Sequence, residues 1–273
     1  MRIGRWMRAK NSVAQKMTTY DNHTAGPVGG VDVPEMGGRE VDVVDVGRMG
    51  FKECWELQER LFRESIATKA AGGHPRHTVL LVEHPPVYTL GKSGKESNLL
   101  VAEEFLKSLG AEFFHIDRGG DITFHGPGQI VGYPILDLSQ LGIGLKGYID
   151  AIEGAVIETM AEWGIVCQRV EGASGVWIVE PGRPMRKICA VGVKSSRWVT
   201  MHGFALNVNT ELRYFGYINP CGFVDRTATS MEQELGHKED VERVKERLLA
   251  HLAEKLDVNK INTKRLCQLT NVG

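Results

Sequence analysis

Of the 273 residues only five are cysteine, at positions 54, 167, 189, 221 and 267, an odd number, widely spaced and with no C-x-x-C pair. That spacing excludes a disulfide framework and most zinc modules, suits a reducing compartment, and leaves at least one thiol free to react. Histidines and cysteines are scattered without ligand spacing, so no metal site is expected. Charge of one sign is also missing: the net charge is −1, so no global field argues for nucleic acid or for a membrane surface. Long apolar runs are absent. Stretches such as "TVLLV" at 78–82 are far too short to span a bilayer.

What is present is ordinary for a globular chain, 42% hydrophobic and 25% charged, long enough to bury a substantial core. The first segment stands apart. "MRIGRWMRAKNSVAQKMTTY" holds three arginines and two lysines but no acid, and "GPVGGVDVPEMGG" follows with five glycines. Residues 1–39 read as a disordered or targeting extension, or as a start placed ahead of Met17. A single catalytic domain is expected over 40–260, with 261–273 as a C-terminal tail. The compartment follows from that extension: cytoplasm, or mitochondrial matrix if the Arg-rich start is a transit peptide.

Within the domain, "EVDVVDVG" (40–47) alternates as a strand and residues 50–70 carry helical apolar spacing. "HTVLLVEH" (77–84) reads as a buried strand stopped by Pro85 and Pro86. "AEFFHID" and "DITFH" read as two strands around an Arg118-Gly119-Gly120 turn, and "QIVGYPILDL" (129–138) as a strand that Pro134 assigns to an edge or a bulge. A helix is expected from about 145 to 163, stopped by Gly164. Strands follow at 175–179, 187–195 and 202–208, and an amphipathic helix carrying Val241, Val244, Leu248, Leu252 and Leu256 closes the domain. The loose alternation predicts an α+β fold with a mixed sheet flanked by helices.

"RGGDITFHGPGQIVGYP" (118–134) holds five glycines among strand formers. It lacks the strand–turn–helix setting of a dinucleotide fingerprint. Glycine in strands is destabilising unless special backbone angles or close approach require it. Either a tight bulged hairpin or a narrow ligand slot, with Arg118 and His125 as polar handles, answers that description. Cys221, in "INPCGF", sits on a Pro-Cys-Gly turn, whereas Cys54 and Cys167 have the apolar neighbours of packed thiols. A thiol nucleophile needs a base or cation. Lys187, inside "KICAVGV", is one candidate, sharing one strand face with Cys189 and Val191 by simple alternation. His202 is the competing partner, while Lys194 and Arg197 read as solvated strand-end charges.

Six stretches in order, "EHPPVYTLG", "RGGDITFHGPGQIVGYPILDL", "GVW", "RKICAVGVK", "HGFALNV" and "INPCG", resemble the lipoyl(octanoyl) transferase family over most of residues 40–236. The resemblance implies the biotin/lipoate protein ligase-like fold and transfer of an octanoyl group from octanoyl-acyl carrier protein to a lysine of lipoyl domains. Those domains belong to 2-oxoacid dehydrogenase complexes and the glycine cleavage H protein; no cofactor is implied. It puts the nucleophile at Cys221 and the lysine at Lys187. The acyl slot would be formed by Arg118, Gly119, Gly120, Asp121, Ile122, Thr123, Phe124 and His125, with Ala190, Val191, Gly192, Gly203, Phe204 and Ala205, and with His84 and His202 in support. Three features depart from the family pattern: "EPGRPMR" (180–186) is a longer loop, Cys189 beside Lys187 is a second thiol near the site, and the first forty residues match nothing. An ATP-dependent ligase on the same fold, a non-catalytic acyl-binding protein and a Cys221/His202 hydrolase are the rivals.

Overall fold

In the computed structural model, described for residues 39–219 and 226–269, the chain runs β1 (Glu40–Arg48), α1 (Phe51–Ala70), β2 (His77–Glu83), β3 (Val87–Leu90), α2 (Glu103–Ser108), β4 (Glu112–His115), β5 (Ile122–His125) and β6 (Gln129–Ile135). It continues with α3 (Leu138–Leu141), α4 (Leu145–Glu162), β7 (Gln168–Val170), β8 (Ala173–Ile178), β9 (Met185–Ser196), β10 (Val199–Asn207), β11 (Arg226–Ala228), α5 (Met231–Leu235), α6 (Val241–Lys255) and β12 (Lys260–Lys264). A mixed sheet has the order β12-β1-β2-β6-β10-β9-β8-β7, with β11 added to β9, and a second sheet has the order β4-β3-β5. The fold is α+β, as the patterning predicts.

The continuous apolar runs of the central strands follow from helices on both faces. Alternate residues of one strand enter different cores: Val79 and Leu81 pack with Ile152, Val156, Leu248 and Leu252 of α4 and α6, while Leu80 and Val82 pack with Cys54, Leu61 and Phe62 of α1. The helix boundaries have local causes. Asp240 caps α6 through its carboxylate, which accepts from the backbone amides of Glu242 and Arg243. Gly164, at φ +73°, ends the α4 turn as expected.

Three local expectations are corrected. β4 and β5 are not a hairpin: both flank β3, β4 in parallel and β5 antiparallel. The bent chain between them, with Gly120 at φ +89°, reaches across to β9, where Gly119 N donates to Val193 O at 2.9 Å. Pro134 lies in a central strand, since β6 pairs with both β2 and β10. Its missing N–H is tolerated near the strand end, where the Thr200 hydroxyl donates to its carbonyl at 2.8 Å. Finally, the chain from 261, expected as a tail, begins inside β12, which pairs in parallel with β1 from Glu40↔Lys260 to Val44↔Lys264. No helix of the described residues is long and apolar enough to cross a membrane.

Candidate active site

β9 changes neighbours along its length. Its first residues lie between β8 and β11, with Lys187 opposite Trp177 on one side and Ala228 on the other, whereas Cys189 to Ser196 pair with β10. Where β10 gives way to β11, a cavity of about 480 Å³ opens, within the roughly 300–1,000 Å³ usual for small-molecule sites. Arg118, Gly120 to Thr123, His125, Lys187, Ala190 to Gly192 and His202 to Ala205 all line it. Residues far apart in sequence thus share one wall.

Gly119, Phe124 and His84 do not line the cavity. Phe124 alternates to the other side of β5, where it stacks on Tyr214 with centroids 4.6 Å apart and 3° between planes. Gly119 is engaged with Val193, and His84 lies behind His125, ring centroids 6.0 Å apart. Cys221 lies outside the described residues. Asn219 before it and Arg226 to Ala228 after it are on the cavity wall.

The simple alternation expected for β9 also fails. Trp177 pairs with Lys187 but Val176 pairs with Cys189, so β9 carries one extra residue at this point. Such a bulge puts successive side chains on one face. Ile188 and Cys189 both enter the main core, and Lys187 and Ala190 both reach the cavity. Cys189 is fully buried and burial pushes its thiol well up, so it is not a second thiol facing the cavity. Cys54 and Cys167 are likewise pushed up to about 12 by burial.

Lys187 is half-buried, with Nζ 4.5 Å from the centroid of the Trp177 ring. Lys194 has a different setting: its Nζ is 2.5 Å from Asp117 Oδ2, and Asp117 Oδ1 accepts from His202 Nε2 at 3.1 Å. Those hydrogen bonds, the one from His202 first, hold Asp117 well below the usual carboxylate range. His202, almost fully buried, has φ +60°, a strained conformation for a residue with a side chain. Gln58 Oε1 accepts from its backbone N–H at 3.2 Å.

Arg118 is 8% exposed. It donates to Thr89 O at 2.7 Å, to Thr89 Oγ1 at 3.0 Å and to Gly119 O at 3.0 Å, and burial lowers it to about 10. Asp121 accepts from its neighbour Ile122 N at 2.7 Å and, across to the 96–98 turn, from Asn98 Nδ2 at 2.6 Å.

Two of the buried histidines, His84 and His125, are neutral, and their tautomers follow from fixed carbonyls. His84 Nδ1 lies 2.8 Å from Met49 O, which can only accept, so Nδ1 carries the proton and Nε2 accepts from Tyr133 Oη at 2.8 Å. For His125 the logic runs through a chain. Asn207 Nδ2 donates to Thr229 O, so Asn207 Oδ1 faces Gln129 and accepts from its Nε2. Gln129 Oε1 is then left to accept from His125 Nδ1 at 2.9 Å. Burial lowers His84 to about 4 and His125 to about 3.

Among the described residues, Glu158, His251 and Glu254 form a group that could hold a metal ion, but Lys255 and Arg247 already pair with the surrounding acids. It lies between α4 and α6 and is not part of the cavity wall. Sequence reasoning missed Trp177, Tyr133, Asn207 and Phe51, which are among the further residues of that wall. Trp177 inside "GVW", Tyr133 inside "RGGDITFHGPGQIVGYPILDL" and Asn207 inside "HGFALNV" stood in motifs that could have indicated them, whereas Phe51 stood in none.

Residues 51–253 match the lipoyl protein ligase A/B catalytic domain. The octanoyltransferase of Bacteroides fragilis is 54% identical over 198 residues, 72% of this chain and 90% of that protein. The octanoyltransferase of Bacteroides thetaiotaomicron is 50% identical over 218 residues, 80% of this chain and 96% of that protein. A crystal structure of lipoate-protein ligase A bound with ATP superposes with a TM-score of 0.57 at 13% identity, covering 84% of this chain and 87% of that one. The chain belongs to the lipoyl protein ligase A/B catalytic-domain family. Within it, the sequence relationship is to the octanoyltransferases, the lipoyl(octanoyl) transferase group.

Proposed function

We propose that this chain is an acyltransferase that moves an octanoyl group from octanoyl-acyl carrier protein, by way of a thioester on Cys221, to the lysine amine of a lipoyl domain. The observation that carries the reading is the single cavity that gathers Lys187, the 118–125 stretch and both described flanks of the Cys221 segment, Asn219 and Arg226. The octanoyltransferase relatives support the acyl group and the reaction class.

In the first step Lys187 takes the Cys221 proton and the thiolate attacks the thioester carbonyl. The new S–C bond forms as the carrier's S–C bond breaks, and the carrier's sulfur leaves as a thiol with the proton returned by Lys187. In the second, the lipoyl-domain amine attacks the acyl-Cys221 carbonyl. The C–N bond forms, the S–C bond to Cys221 breaks, and Lys187 takes the proton the amine loses. Thioester exchange is close to isoenergetic and amide formation is downhill, so no nucleotide is consumed. Burial of about seven methylenes at roughly 0.8 kcal/mol each gives about 5–6 kcal/mol of gross binding. That is enough to retain the acyl group while the carrier departs. The acceptors are the lipoyl domains of 2-oxoacid dehydrogenase complexes and the glycine cleavage H protein.

The fold is shared with a ligase crystallised with ATP, so the decisive experiment separates the two chemistries. Octanoyl-acyl carrier protein should acylate a lipoyl domain without nucleotide, and free octanoate with ATP should not. The reverse result would make the chain a ligase.

A further inference from the structure

The "GVW" stretch has no part in the chemistry above, yet it surrounds Lys187. Trp177 lies directly across β8–β9 from Lys187, just before the bulge that shifts the register to Val176↔Cys189. Its indole is 4% exposed and fixed by Nε1 donating to Ala173 O at 3.0 Å. Lys187 Nζ stands 4.5 Å from its centroid, and the guanidinium carbon of Arg226, on the strand at the other side of Lys187, stands 5.5 Å from the same ring. Gly175 completes the cradle. At φ +105°, a Cβ there would collide with Cys189 O and would rest 3.5 Å from Lys187 Cε. Glycine is thus required by the close approach of the Cys189 carbonyl, and the lysine stem passes this point of β8 at ordinary contact distance.

We infer that Trp177 is a positioning residue for Lys187: its ring face fixes where the amine stands, so that the proton leaving the acceptor amine meets it in one place. A lysine stem has four rotatable bonds, and an ammonium group held over an indole loses that freedom in return for the cation–π attraction. The neutral amine can keep the same place by an N–H···π contact, so the position survives proton transfer. The inference rests on the reading of Lys187 as the proton acceptor.

The test uses the full-length enzyme with Trp177→Phe and Trp177→Leu, each made with Lys187 intact and with Lys187→Met. Trp177→Met replaces leucine should that variant not fold. Two quantities are read: kcat for octanoyl transfer to a lipoyl domain, and the rate at which an amine-selective acylating reagent labels Lys187, mapped by peptide mass. Phenylalanine keeps a ring face and should lose no more than about threefold in kcat, while leucine should lose roughly tenfold, the scale of a lost cation–π contact. In the Lys187→Met background, leucine should cost nothing further. Equal losses for phenylalanine and leucine, or the same loss from leucine in both backgrounds, would overturn the inference, because Trp177 would then act on the cavity and not through Lys187. If Lys187→Met alone transfers at the wild-type rate, the catalytic reading of Lys187 fails, and labelling decides the geometry by itself. Leucine must still change Lys187 labelling several-fold relative to phenylalanine, and an unchanged labelling rate overturns the inference.

Discussion

Gly203 on β10 backs onto the carbonyl oxygen of Gly132 on β6, and a Cβ at 203 would collide with that oxygen and come within 2.6 Å of Pro134 Cδ. The glycine lines the cavity with its backbone, but its missing side chain would point into the sheet. Gly203→Ala should therefore destabilise by about 1–3 kcal/mol, the cost of overpacking. A melting point equal to wild type would contradict this placement.

Shortening of the acyl slot is better tested at Ala190, which lines the cavity and is only half-buried. Ala190→Leu should fold and favour hexanoyl over octanoyl donors. Each methylene displaced from the slot is worth about 0.8 kcal/mol, roughly fourfold in affinity. Competition between the two donors reads the ratio directly. An unchanged preference would put the acyl chain elsewhere.

The two lysines of β9 should separate sharply. Lys187→Ala is expected to lose about 10²-fold or more in transfer rate, the scale of a lost general base. Lys194→Ala should matter little, since its Nζ is engaged with Asp117 and lies 5.0 Å from the centroid of the Phe62 ring. Steady-state rates of the two variants decide; a loss confined to Lys194→Ala would reverse the assignment.

The neutral histidines predict a pH dependence of stability. Burial puts His84 at about 4 and His125 at about 3, while the unfolded chain binds a proton near pH 6.5. Because the unfolded state takes up protons first as pH falls, this contribution is fully present above about pH 6.5 and is lost toward about pH 4. Each histidine should steepen the loss by about 1.4 kcal/mol per pH unit within that window. Urea unfolding at pH 7 and pH 5 should show His84→Gln losing about 2 kcal/mol less than wild type. Equal losses in the two proteins would assign the dependence to other groups.

Much of the fold was legible because its signals are local. Residues 50–70 and 145–163 carry apolar helical spacing, and α1 and α4 occupy Phe51–Ala70 and Leu145–Glu162. "HTVLLVEH" is a run buried on both faces, and β2 ends at Glu83, just before the two prolines. Pairings were not legible, since they depend on distant chain. Nothing in "AEFFHID" states that β3 will insert between it and "DITFH". The β9–β10 hairpin turns at Arg197 and Trp198, at φ +51° and +70°, where glycine or asparagine is the usual signal. The cavity-facing set was partly legible, as the bulge before Cys189 illustrates: alternation grouped Lys187 with Cys189, whereas one extra residue grouped it with Ala190.

The central claim is a thioester on Cys221, and intact mass after incubation with octanoyl-acyl carrier protein tests it most directly. Wild type should gain one octanoyl group that hydroxylamine removes. Cys189→Ala should gain it equally, its thiol being buried in the core, and Cys221→Ala should gain none. Labelling of Cys221→Ala at the wild-type level, together with loss of labelling in Cys189→Ala, would contradict the account.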